Sequence, residues 1–114
     1  MGTDSRLRQE IPPGALHLLI LRTLDRIGPM HGYGIAAHIQ KISQDILQVE
    51  EGSLYPALQR MLLKGWLKAE WGQSENNRRA RYYRLTPAGR KQLAAEVADF
   101  QTVTRAIVRI IQTA

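Results

Sequence analysis

Between Trp66 and Leu85 the spacing of apolar residues changes from three-and-four to two, and after Thr86 it changes back. This double change restricts the fold more than any other feature, because helical and strand periods bury their side chains in incompatible ways. In Trp66-Leu67-Lys68-Ala69-Glu70-Trp71 the alternation predicts Leu67, Ala69 and Trp71 on one side. In Arg81-Tyr82-Tyr83-Arg84-Leu85 it predicts Tyr83 and Leu85 inward. The residues between, Gly72 to Ala80, lack a large apolar anchor and read as a solvated hairpin tip. Helical patterns flank the pair, so the expected fold class is mainly α with a small β-hairpin.

Upstream, residues 1–11 read as a flexible arm ended by Pro12-Pro13, with Pro13 suited to the first turn of a helix that runs to about Ile27. Its apolar residues (Leu16, Leu18, Leu19, Ile20, Leu21, Leu24 and Ile27) cover more of the circumference than one face can bury. Such a helix needs neighbours on several sides, one of which a second subunit can supply. Gly28-Pro29 breaks the chain, and His31-Gly32-Tyr33-Gly34 opens a second helix to about Ser43, with Ile35, Ile39 and Ile42 inward. Its two glycines cost helix stability unless something passes close to the backbone. Ile46, Leu47 and Val49 are expected to face the core. A third helix follows from about Glu51, with Pro56 placed in its first turn and Gly65 as a left-handed cap.

That third helix has two faces of different chemistry. Leu54, Leu58, Met61 and Leu62 make one buried stripe and leave Ser53, Tyr55, Pro56, Gln59 and Arg60 outward. A helix kept only for packing would carry Lys and Glu outward, whereas hydroxyls, an amide and a guanidinium reach phosphates and base edges. Tyr55 and Gln59 lie one turn apart and can enter the same groove. The plain alternative is a surface pair on an ordinary helix.

The hairpin adds Arg78, Arg79 and Arg81, with Arg84, Arg90 and Lys91 nearby, against Glu75 alone. Arginine at a hairpin tip can reach backbone phosphates or the minor groove. The chain as a whole has 16 Lys and Arg against 10 Asp and Glu in 114 residues, a net charge of +6, which favours a polyanionic partner. A polar-faced helix, a basic hairpin and a basic net charge in this order make a winged helix-turn-helix.

From Thr86, a good N-cap followed by Pro87, the helical period returns. Leu93, Val97, Phe100, Thr104, Ile107 and Ile111 follow heptad-like steps, and Val103, Ala106, Val108 and Ile110 add further apolar surface. Three parts are therefore expected: the arm (1–11), the winged helix-turn-helix (12–85) and a C-terminal dimerisation helix (86–114).

Enzyme chemistry is poorly supported. There is no cysteine, hence no thiolate nucleophile and no cysteine metal site. His17, His31 and His38 have no recurrent ligand spacing and read as surface or cap residues. Ser53 has no neighbouring His to act as base, no paired carboxylates converge, and Ser43 and Ser74 sit in loop-like contexts without a nucleophile elbow. No cofactor or metal is expected. Nothing resembles a signal peptide or is long enough to span a bilayer, so a cytoplasmic protein without membrane contact is expected.

Several separate pieces resemble the PadR family of bacterial transcriptional regulators, in its short form with a single C-terminal helix. They are Leu18-Leu19-Ile20-Leu21, His31-Gly32-Tyr33-Gly34-Ile35, Gly52-Ser53-Leu54-Tyr55-Pro56-Ala57-Leu58 with Leu62 and Gly65, and Tyr83-Arg84-Leu85-Thr86 with Gly89. Together they cover roughly residues 11–100. The resemblance implies a homodimeric repressor that binds double-stranded DNA and leaves it when a small molecule binds. It implies recognition roles for Ser53, Tyr55, Pro56 and Gln59, wing roles for Arg78, Arg79 and Arg81, and a phosphate contact from Tyr33. From the residue patterns, Arg60 is expected to join the DNA contacts and Leu16, Leu19, Leu93, Val97, Phe100, Ile107 and Ile111 to form the dimer interface. Some members of the family hold planar aromatic compounds between their C-terminal helices, and Phe100 stands at the matching place; plain dimer-core packing explains the same residue. The longer members' extended sensor subdomain is not expected here. The alternative reading is a winged-helix protein-interaction module without sequence-specific DNA binding.

Overall fold

Each period change in the sequence falls at an element boundary in the computed structural model, which describes residues 8–12 and 14–113. The elements are α1 (Ala15–Ile27), β1 (Met30–His31), α2 (Gly32–Ile42), α3 (Glu51–Leu63), β2 (Leu67–Gln73), β3 (Arg79–Leu85) and α4 (Pro87–Ile111). The first helix starts at Ala15, behind Gly14 at φ 83°; Pro13 and residues 1–7 of the expected arm lie outside the described residues. From Gln9 the arm is paired: the Gln9 N–H donates to the Ile46 carbonyl at 2.7 Å, within a parallel bridge to Leu47.

Local chemistry sets the helix ends. The His31 imidazole opens α2 by accepting the Gly34 N–H on Nδ1 at 2.9 Å, which satisfies a donor the helix itself cannot. At the end of α3 the Trp66 N–H reaches the Met61 carbonyl and the Gly65 N–H the Leu62 carbonyl, with Gly65 at φ 76°. This is the Schellman arrangement, and Gly65 takes the left-handed position expected of it. Thr86 then caps α4, accepting the Gly89 N–H at 3.0 Å. The same hydroxyl lies 2.7 Å from the Gly65 carbonyl and 3.0 Å from that of Trp66. A Cβ on Gly89 would overlap the Trp66 carbonyl, so α4 and the start of β2 meet backbone to backbone.

The sheet has three antiparallel strands in the order β1-β3-β2 rather than two. β1 pairs Met30 with Tyr83 and His31 with Tyr82, and is too short to show an alternating period in the sequence. β2 and β3 pair from Leu67↔Leu85 to Gln73↔Arg79. Their connection closes with the Asn77 N–H on the Ser74 carbonyl and the Ser74 N–H on the Arg78 carbonyl. Asn77 lies at φ 60°, a conformation that Asn tolerates better than most residues.

Ile20, Leu21, Leu24, Ile35, Ile39, Leu54, Ala57, Leu58, Met61, Leu67, Tyr83 and Leu93 form the core, where α1 to α3, the sheet and the first turns of α4 converge. Several sequence expectations need correction. Leu93, expected on the dimer seam, is 4% exposed within the core of its own subunit. Ile42, at 68% exposure on the last turn of α2, is left uncovered; Ile46 is also exposed, after Gln44 and Asp45 take positive φ and redirect the chain. Leu47 and Val49 do pack on the core.

Pro56 lies inside α3, beyond its first turn. It leaves the Gly52 carbonyl without its helical donor, at an exposed position open to solvent. His17 is part-buried, edge-on to Trp66 with ring centroids 6.3 Å apart. Burial, and then the charge of Arg60, lower its pKa.

Candidate nucleic-acid interface

Helix α3 divides as its sequence period demands: Leu54, Ala57, Leu58 and Met61 are buried, and Ser53, Tyr55, Pro56, Gln59 and Arg60 are exposed. The hairpin and the start of α2 extend this exposed face into a groove of about 720 Å³, lined by Tyr33, Tyr55, Trp71, Arg78, Arg79 and Arg81 among others. Tyr33 stands 76% exposed on the first turn of α2. Tyr55 reaches across to the same turn, where a Cβ on Gly32 would lie 2.9 Å from its ring. That close approach accounts for the glycine.

Strand register places the basic groups. Trp71 pairs with Arg81 and Gln73 with Arg79, and side chains two apart share a face, so Trp71, Arg79 and Arg81 project together into the groove. The Arg79 guanidinium lies 4.7 Å from the centre of the Trp71 ring, and that of Arg81 lies 6.0 Å from the centre of Tyr83. Arg84, on the opposite face, is paired with Glu70 at 3.2 Å. The other ion pairs among the described residues join Asp25 to Arg22 and Arg90, so none neutralises Arg78, Arg79 or Arg81.

The structure thus gathers Tyr33, Tyr55, Arg78, Arg79 and Arg81 in one groove. Pro56, Gln59 and Arg60 continue the exposed face of α3 outside its lining. Ser53 instead borders a separate cleft of about 510 Å³ with Arg8, Gln48 and Glu50. Sequence reasoning missed two contributors. His31, which caps α2, lines the groove beside Tyr33. Trp71, expected inward with Leu67 and Ala69, shares their strand face but is 60% exposed, because the strand has by then run past the body of the protein.

Among the residues expected to dimerise, Leu16, Leu19 and Val97 pack against the core while part-exposed. Phe100 is 45% exposed, and Val103, Ile107, Val108, Ile110 and Ile111 follow it into solvent. Among the described residues no group of three or more His, Asp or Glu could hold a metal ion. No helix described is long and apolar enough to cross a membrane.

The model of the transcriptional regulator PadR-like family matches residues 20–95. An uncharacterized protein of Lysinibacillus sphaericus is 30% identical over 104 residues, covering 89% of this chain and 92% of its own. Among solved structures, a transcriptional regulator from Clostridium thermocellum superposes with a TM-score of 0.79 at 26% identity, covering 87% of this chain and 95% of that one. A PadR-like transcriptional regulator from Bacillus cereus superposes with a TM-score of 0.74 at 25% identity, over 89% and 95% of the two chains.

Proposed function

Because the chain belongs to the PadR-like family of transcriptional regulators, we propose that it is a homodimeric, sequence-specific repressor of transcription. The observation that carries this reading is the groove: Tyr33, Tyr55 and three arginines with no ion pair among the described residues line one concave surface beside the exposed face of α3. In this reading α3 enters the major groove, Gln59 reads a base edge, and Ser53, Tyr55, Pro56 and Arg60 seat the helix. Tyr33 and the wing arginines hold backbone phosphates or the adjacent minor groove.

Residues 86–114 act as the dimerisation helix in this proposal, through Val97, Phe100, Ile107 and Ile111, with Leu16 and Leu19 of α1 beside them. Exposed apolar side chains along the outer half of α4 support that role. Two-fold symmetry then calls for a near-palindromic operator with half-site centres about 10 bp apart or a multiple. A small planar aromatic effector stacked on Phe100 would release the DNA by altering how the two α4 helices meet. The protein acts without chemistry of its own in the cytoplasm.

A gel-shift titration with the promoter beside its own coding region, at two salt concentrations, tests this function. If each subunit neutralises about four phosphates, log affinity falls against log salt with a slope of roughly −7 for the dimer. Equal affinity for operator and scrambled duplex at matched salt would remove the claim of specificity.

A further inference from the structure

Trp71 is the large apolar side chain of the groove that neither the core nor a cap accounts for. It is 60% exposed, and its ring is covered by the Arg79 guanidinium at 4.7 Å. Register sets the pair: Trp71 stands opposite Arg81 and Gln73 opposite Arg79, so Trp71 and Arg79 are diagonal neighbours on the groove face, close enough for long side chains to meet. Arg81, on the same face, has the ring of Tyr83 beneath it. Two like-charged guanidinium groups two residues apart therefore each have an aromatic face of their own. An arginine on a hairpin otherwise samples many rotamers and must be ordered when it binds.

From this geometry we infer that Trp71 is a positioning residue for DNA binding: its indole holds the Arg79 guanidinium over the groove in the orientation that meets the duplex. The inference rests on the DNA-binding reading above. Cation–π attraction acts through the ring face and leaves the guanidinium N–H edges free. Arg79 can thus stay on the indole while its edge donates to a phosphate. The ring restricts the arginine before binding, and less freedom is lost on contact.

The test compares Trp71→Ala, Trp71→Tyr, Arg79→Ala and the double variant Trp71→Ala/Arg79→Ala in salt-titrated gel shifts on one duplex. Because Trp71 lies outside the core, all four should melt as the wild type does. Trp71→Ala should weaken binding by about tenfold for a dimer carrying two wings. Trp71→Tyr, which keeps a ring face, should recover most of that loss. The double variant should bind no worse than Arg79→Ala alone.

In the free protein, the Arg79 δ-proton resonances should be shifted upfield by the indole and return to ordinary values in Trp71→Ala. Wild-type affinity in Trp71→Ala, or an unshifted Arg79 in the wild type, overturns the inference. Fully additive losses also overturn it, since they would make Trp71 a DNA contact in its own right. If wild-type protein binds no DNA, the underlying function fails and this role with it. An upfield Arg79 would then show that the pair exists without that use.

Discussion

The groove and the outer half of α4 both expose large side chains, yet their chemistry is opposite. Around the groove, rings and arginines stand together (Tyr33, Tyr55, Trp71, Arg78, Arg79 and Arg81). Along α4, Phe100, Val103, Ile107, Val108, Ile110 and Ile111 form an apolar surface that reaches no core. Exposure alone says only that a surface is uncovered within one subunit. Composition indicates what would cover it: a polyanion would be attracted to the first surface through charge, and another apolar surface would satisfy the second by leaving water.

The sharpest way to break this contrast is to charge the apolar surface. Ile107→Asp with Ile111→Asp should give a monomer by sedimentation, with affinity for a two-site duplex reduced by about a hundredfold or more, because the second half-site is no longer tethered to the first. A variant that stays dimeric and binds normally would remove α4 from the interface. On the groove side, Gln59→Ala should relax preference at a single base pair by about 1–3 kcal/mol in a competition assay with point-mutated duplexes. Arg79→Ala should weaken operator and scrambled duplex alike, by about tenfold, and make the salt slope shallower by about 2 for the dimer.

Thr86→Val touches neither surface, and should lower stability by about 1 kcal/mol through loss of the α4 cap while base preference is kept. Thermal melts followed by circular dichroism measure it. The smallest effect concerns pH. Burial, and then Arg60, hold His17 below its ordinary value, so the unfolded chain takes up a proton before the folded one does. Stability should therefore fall as pH drops from about 6.5, and stop falling below the folded pKa. Melts of the wild type and His17→Phe across that window should differ in slope, and parallel curves would exclude His17 as the cause.

The parts legible in the sequence were those governed by period and capping. The two faces of α3, the Gly65 cap, the Thr86 start of α4 and the face shared by Leu67, Ala69 and Trp71 follow from residue order over one or two turns. Features set by where the body of the protein ends were not legible. Trp71 obeys its strand alternation and still emerges into the groove. Leu93 obeys its helical seam but is covered by its own subunit, because α1 packs against the base of α4. The two-residue β1 has no period to detect. The Tyr55 approach to Gly32 joins residues from different helices, and a local pattern can signal that something comes near a glycine without saying which side chain.

Thr86 and Gly89 root α4 directly in the carbonyls of Gly65 and Trp66, where α3 has just ended and the hairpin begins. With little compliant side chain at that root, the 25-residue α4 works as a lever about 37 Å long. In the proposed dimer, a rotation of about 5° between the two crossing levers displaces one root relative to the other by roughly 3 Å over that length, and the recognition helices would travel with it. In that dimer the distance between the recognition helices would be set at the far end of the molecule.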